Sequence, residues 1–272
     1  MLLKYLITFV SLLMVNIISI PVSLSSQEVK LYSQINEMII ERGNFGENRS
    51  LVDYSSMLPG LLDEIKTLKK GDHIIDAGAG NLIAVMDILN DENLQGLNIS
   101  AISAGIDFDK IRLSKELAEK RTGKYNLFEK MFNKIKDEEI TKDLGKAKLI
   151  MDVFGILSYS ISPAKDLKRY LDLLKDDGLI YLVSSSLDHL PSSKVVLKDE
   201  KKSKISILKL LMQIPGIKVT PLDFSYDLSN QEHIEAVKIT IVDRDKIVIP
   251  NIIINDLVTT FSGTGCRTFI EY

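Results

Sequence analysis

The sequence predicts an α/β chain, an open three-layer sandwich whose sheet is mostly parallel and ends in an antiparallel C-terminal edge. Three observations predict it. From residue 73 to residue 185, short apolar β-type runs alternate with amphipathic helical patterns, which is how a parallel sheet with helices on both faces is built. From residue 218 onward, strand patterns follow one another with no helix between them, and strands joined by short turns pair antiparallel. Of 272 residues, 45% are hydrophobic, 26% are charged and only seven are proline. That composition supports a packed body of one large or two small domains rather than a disordered chain.

The first 25 residues stand apart. MLLKYLITFVSLLMVNIISIPVSLS places Lys4 before an apolar stretch running from Tyr5 to Ile20. Pro21 follows, then small residues at Ser23 and Ser25. This is the three-part layout of a secretory signal, with cleavage expected after Ser25. An uncleaved membrane anchor is the competing reading, because the apolar stretch approaches the roughly 20 residues that span a bilayer. Export, to a periplasm or the exterior, is therefore the expected localisation. Membrane contact through residues 1–25 is the alternative.

Residues 26–70 read as a helical extension. Val29, Ile35, Met38 and Ile39 share a helical face that Gly43 ends, and a second helix is centred on Leu61, Leu62, Ile65 and Leu68. Residues 71–242 form the main domain. Its strands are expected at 73–77, 99–106, 125–132, 148–154 and 178–185, with helices at 81–90, 109–121 and 164–174. The lysine-rich stretch 192–204 reads as a solvated loop before a helix at 205–213. Strand patterns at 218–220, 234–242, 246–254 and 266–272 close the chain, and residues 243–272 form a β-rich extension of the same domain.

The most informative stretch is His73-Ile74-Ile75-Asp76-Ala77-Gly78-Ala79-Gly80-Asn81-Leu82. An apolar strand ends in an acid, and two glycines one residue apart open a helix. Glycine suits a sharp turn whose backbone must approach a ligand closely, and the N–H groups of a helix start can receive polar ligand atoms. A P-loop would need a Gly-Lys-Ser/Thr ending, which is absent. A dinucleotide site would want glycine where Ile83 stands, and would set Asp76 against a pyrophosphate. A ligand with cationic ends suits Asp76 better.

On these residues the sequence resembles the class I S-adenosylmethionine-dependent methyltransferases. Their acid-x-Gly-x-Gly pattern is matched by Asp76, Gly78 and Gly80, with Leu82 where a further glycine often follows. The resemblance implies a Rossmann-like fold and S-adenosyl-L-methionine as cofactor, held by Asp76, Gly78, Ala79 and Gly80. It implies a ribose-binding acid closing the second strand, for which Asp107 aligns best. It also implies an adenine contact near the end of the third strand, for which Asn133 is the candidate ahead of Asp137. The run Lys148 to Gly155 resembles the family's fourth strand, and Leu174 to Tyr181 its turn into the fifth.

Chemistry is placed by topology, since ligands gather at the carboxyl ends of such strands. Asp152, at the end of the fourth strand, and His189, beyond the fifth, are the candidate catalytic residues, with His233 a further pocket candidate. His73 opens the first strand at the opposite edge and reads as structural. Phe154, Tyr159 and Tyr226 are candidate walls of an acceptor pocket. The chain carries 34 basic and 37 acidic residues, a net charge of −3, which disfavours a nucleic-acid acceptor. One cysteine, Cys266, excludes an intramolecular disulfide, and three scattered histidines point away from a metal cluster. The expected function is methyl transfer to a small molecule, lipid or protein group. An exported non-catalytic binding or effector protein on the same scaffold is the alternative, and a nicotinamide-dependent oxidoreductase is disfavoured by Asp76 and Ile83.

Overall fold

A computed structural model describes residues 48–103, 106–130, 132–159, 163–185, 195–197, 204–205, 207–223, 234–249 and 252–254. The chain divides into two units, Met1–Gly43 and Asn44–Tyr272, and all described residues belong to the second. The expected targeting segment, the helix at 27–42, His189, His233, Tyr226, Cys266 and the strand at 266–272 lie outside the described residues. Among the described residues no helix is long and apolar enough to cross a membrane.

The element order is α1 (Leu51–Met57), α2 (Leu61–Thr67), β1 (His73–Ala77), α3 (Ile83–Asn90), β2 (Asn98–Ile102), α4 (Phe108–Glu119), β3 (Tyr125–Phe128), α5 (Asp137–Thr141), β4 (Ala147–Val153), α6 (Ile156–Tyr159), α7 (Pro163–Leu173) and β5 (Leu174–Ser185). Then come β6 (Val195–Leu197), β7 (Lys204–Ile205), α8 (Ile207–Met212), β8 (Ile217–Pro221), β9 (Ile234–Ile241) and β10 (Ile252–Ile254). The main sheet has the order β3-β2-β1-β4-β5-β9-β8. Its first five strands are parallel, β9 runs antiparallel to β5, and β8 antiparallel to β9. This is the expected sandwich with its antiparallel C-terminal edge. The chain winds outward from β1 to β3, then returns to lay β4 on the other side of β1. That reversal makes the β1/β4 tips the place where such sheets bind ligands.

The alternation of strand side chains splits the core in two. Ile75, Ala77, Ile150, Ile180 and Leu182 pack on one face with Leu167, Tyr170 and Leu171 of α7. Ile74, Leu149, Met151, Val153, Tyr181 and Val183 pack on the other with Tyr54 and Met57 of α1, Leu61 and Ile65 of α2, and Val85 and Ile88 of α3. Helix α1 starts at a capping box, in which Ser50 and Asp53 exchange hydrogen bonds between side chain and backbone. The Asp87 carboxylate then accepts from the Leu51 N–H at 2.8 Å and ties α1 to α3.

Several expected boundaries shift. β2 ends at Ile102 rather than 106, and β3 at Phe128 rather than 132, because Ile102–Phe128 is the last paired position and the next residues, Glu129 and Lys130, are charged and exposed. β5 begins four residues early. Leu174 pairs with Ala147 and Leu179 with Leu149, so the expected turn at 175–178 is a bulge inside a strand. Arg244 holds that bulge by donating to the Leu171 and Leu174 carbonyls and pairing with Asp176.

The loop expected at 192–204 contains β6 and β7, which form a separate three-stranded sheet with β10. The strand expected at 246–254 is thus mostly something else. A 3-10 turn occupies Arg244–Lys246, and among the described residues of this stretch the strand is Ile252–Ile254, paired with Val195–Leu197. Apolar, mostly β-branched residues in both segments favour strands, a pattern that the surrounding lysines obscure in the sequence.

Candidate active site at the strand tips

The turn after β1 is built by its glycines. Gly78 has φ +126° and Gly80 φ +48°, conformations that a side chain disfavours. Gly78 and Ala79 both donate their N–H to the Ile102 carbonyl, each at 3.0 Å, and Ser103 Oγ donates to the Gly80 carbonyl at 2.9 Å. The turn is therefore stapled to the end of β2. It also meets the turn after β4. A Cβ on Gly78 would fall 2.3 Å from the Gly155 Cα, and one on Gly155 would fall 2.1 Å from the Ala77 carbonyl oxygen. The backbones of the two turns thus interlock, and only glycine fits either position. Leu82, at the place of the family's further glycine, adopts the same left-handed conformation, φ +65°, while its side chain is wholly buried.

Asp76 lies beneath this turn, wholly buried. The Tyr54 hydroxyl approaches both of its oxygens at 3.4 Å, a long contact for a charged acceptor. Burial, and then the Asp152 charge, push the Asp76 carboxyl up to about 7, against smaller opposing effects of Tyr54 and Arg49.

Asp152 is placed differently. Pairing of Asp76 with Met151 sets the two carboxylates on opposite faces of the sheet. Asp152 is also wholly buried, but it accepts from the Gly155 N–H at 2.8 Å, the Leu157 N–H at 2.9 Å and the Tyr170 hydroxyl at 2.7 Å. Burial raises its carboxyl to about 6, with these hydrogen bonds working the other way. It organises the turn after β4 from below. The intervening Phe154 is a non-glycine residue at φ +50°.

The other sequence candidates sit around the rim. Asp107 is exposed and caps α4, accepting from the Asp109 N–H at 2.8 Å. Asn133 is exposed in a 3-10 turn, Phe132–Lys134, five residues beyond β3. Asp137 is engaged by Arg169, which also donates to the Phe132 and Ile135 carbonyls. His73 is buried at the opposite edge, as expected. Its Nδ1 meets the Gly145 carbonyl and its Nε2 the Ser100 hydroxyl, each at 2.9 Å.

Further residues near the strand tips were not among the sequence candidates. Glu129 is the acid that directly follows β3; it is exposed and pairs with Lys115 at 3.9 Å. Phe108, next to Asp107, is 86% exposed. Tyr54 reaches Asp76 from α1, and the Arg49 guanidinium reaches the β4 tip. Among the described residues no group of three or more His, Cys, Asp or Glu is arranged to hold a metal ion.

No family profile and no curated protein sequence matches the chain. Among solved structures it is similar to an S-adenosylmethionine-dependent methyltransferase from Clostridium acetobutylicum, with 12% identity over 70% of this chain and 92% of that one and a TM-score of 0.44. It is similar to an rRNA methylase from Streptococcus thermophilus, with 10% identity over 70% and 94% and a TM-score of 0.41. It is also similar to a SAM-dependent methyltransferase from Aquifex aeolicus, with 16% identity over 69% and 92% and a TM-score of 0.40. Likeness at this level carries neither substrate nor activity over to this chain.

Proposed function

We propose that the chain binds S-adenosyl-L-methionine at the tips of β1, β2 and β3 and transfers its methyl group to an acceptor, as a class I methyltransferase. Asp76 carries this reading. A wholly buried carboxylate, which among the described residues has one long hydroxyl contact, lies under a glycine turn at the sheet's reversal point, where it repels a phosphate and favours a cation. The residues fit the cofactor, which has two cationic centres and no phosphate. When bound, it supplies a methyl group activated by a positively charged sulfur.

The protein's own contribution is positioning, which supplies much of the acceleration of an in-line displacement. Asp76 faces the cationic end, and the stapled turn at Gly78, Ala79 and Gly80 lets backbone close on the ligand. Asp107 accepts from the ribose hydroxyls. Phe108 offers an exposed aromatic face beside it for the adenine ring, whose amino group is accepted by Glu129 or Asn133. Asp152 keeps the β4 turn in register under the Gly78–Gly155 contact; its burial and three donors suit it to that task rather than to proton exchange with an acceptor. His189 remains the proposed base for an acceptor that must lose a proton. The acceptor is a small molecule, lipid or protein group rather than a nucleic acid, on the ground of the charge balance.

Calorimetric titration of the full chain with S-adenosylmethionine, and separately with NAD, tests the reading. Saturable binding of the first and none of the second is expected. No heat at about millimolar S-adenosylmethionine, an affinity weaker than about 4 kcal/mol, overturns it.

The layout of residues 1–25 supports a further proposal, that the protein is exported or anchored. It also supports a second reading of function, a binding or effector protein that holds the ligand without turnover. Binding without methyl transfer to any acceptor fraction favours that reading. Protease treatment of cells whose outer envelope has been opened and whose inner membrane is intact tests export: full protection of the C-terminal domain overturns it.

A further inference from the structure

Arg49 precedes α1 and is far in sequence from the glycine turn, yet its guanidinium lies at the strand tips. It donates to the Val153 carbonyl at the end of β4 (3.3 Å) and stands 5.3 Å from the centre of the Phe154 ring. Its own carbonyl accepts from the Ala84 N–H at 3.1 Å, which pins its backbone to α3 directly behind the turn. β1 and β4 are neighbours in the sheet. A half-buried cation over one tip therefore stands beside a buried anion under the other, and each acts electrostatically on its surroundings, since the Arg49 charge favours the ionised forms of both Asp76 and Tyr54.

A guanidinium and a carboxyl group at adjacent strand tips complement a zwitterion. A single carboxylate would suffice for a simple cation. A planar guanidinium is the side chain whose fork matches a carboxylate with two parallel hydrogen bonds. Resting on the cofactor reading above, we infer that Arg49 is a specificity residue that holds the carboxylate of the ligand's α-amino acid end while Asp76 faces its ammonium. The site then selects an adenosyl amino acid over an adenosyl amine of the same length and positive charge.

The test compares two ligands that differ by that carboxylate alone, S-adenosylhomocysteine and its decarboxylated counterpart, titrated calorimetrically into the full chain. The wild type is expected to bind the amino acid at least about tenfold more tightly, a modest return for one charged hydrogen-bonded pair. Arg49→Gln is expected to erase that preference, weakening the amino acid by the same factor and leaving the amine within about twofold. Arg49→Lys, which keeps the charge but not the fork, retains part of the preference and shows that the fold survives change at this position.

Equal weakening of both ligands by Arg49→Gln would mean that Arg49 only braces Val153 and Phe154, and would overturn the inference. So would equal binding of both ligands by the wild type, which leaves the cofactor reading standing. Failure of the wild type to bind either ligand removes the cofactor reading and this inference with it.

Discussion

The two ends of β1, only three residues apart, handle buried ionisable groups in opposite ways. At the start, His73 is wholly enclosed and both ring nitrogens have close partners, at 2.9 Å each. Burial lowers its pKa to about 4, so it is a neutral, satisfied residue at neutral pH. At the end, Asp76 is equally enclosed, but among the described residues its carboxyl meets a hydroxyl at 3.4 Å and no closer donor, and burial raises its pKa to about 7. The difference is not one of burial. Burying a polar group is tolerated when its hydrogen bonds are made, and of these two groups the one with the poorer bonding lies where the topology calls for a ligand. Asp152 sharpens the contrast, because it sits at a strand tip and yet has three donors. Position alone does not make a binding residue.

The largest effect comes from breaking the contrast at Asp76. Asp76→Asn keeps the shape and removes the charge. S-adenosylmethionine affinity should fall by about 100-fold, the worth of one or two charge-assisted hydrogen bonds of about 1.5–3 kcal/mol each. Thermal stability should hold or rise, since the variant no longer buries a poorly partnered carboxyl. His73→Ala is the mirror experiment. It leaves the Ser100 hydroxyl and the Gly145 carbonyl without their partner and should cost about 2–4 kcal/mol in denaturant unfolding, with cofactor affinity unchanged. Loss of affinity in the histidine variant, or a large loss of stability in the asparagine variant, would dissolve the division between the two ends.

How much of this was visible in the chain follows the same division. The acid before the glycines was legible at Asp76, Gly78 and Gly80 because strand end, turn and helix start are contiguous. So was the parallel order of β1 to β5, carried by local alternation of pattern. Arg49 was not, because what places it is a contact with Val153, 104 residues away. Gly155 closes the run that resembles the family's fourth strand, but its necessity comes from touching Gly78 across the sheet. Glu129 was hidden because the run from Tyr125 to Phe132 is apolar enough to suggest a longer strand, and the pairing partner that ends it lies in β2. Leu82 seemed to depart from the glycine pattern, yet it keeps the backbone conformation that pattern serves. A left-handed leucine costs about 1–2 kcal/mol, which its fully buried side chain offsets.

A smaller effect is expected at the rim. Asp107→Ala removes a proposed ribose acceptor and also the cap of α4. Cofactor affinity should drop by at least about tenfold, from one or two hydrogen bonds of about 1.5–3 kcal/mol each. The lost cap should lower stability by about 1 kcal/mol. Asp107→Ser separates the two effects, because serine caps a helix as well as aspartate does but brings no charge. Its stability should return to that of the wild type while its affinity does not. Recovery of affinity as well would assign Asp107 to the helix alone and exclude it from the site.

The smallest effect is a change of slope with pH. The folded protein holds His73 at about 4 against 6.5 for the free side chain, so between those values the unfolded chain binds the extra proton. Stability from His73 is present above pH 6.5 and is lost as pH falls toward 4. Asp76 has the opposite sign. Its pKa is raised from 3.8 to about 7, so the folded state binds the extra proton, and stability is lost as pH rises through that window. Asp152, raised from 3.8 to about 6, acts with Asp76. Between about pH 4 and 6 the two carboxyls outweigh the one histidine, so from these groups wild-type stability should fall as pH rises, by about one proton in the linkage slope. Asp76→Asn removes one opposing contribution. Its thermal midpoint, measured from pH 4 to pH 6.5, should fall less steeply with rising pH than that of the wild type, or level off, a difference of up to about one proton in the linkage slope. Parallel curves would mean that Asp76 does not carry its proton through this range, and that the two ends of β1 differ less than their hydrogen bonds indicate.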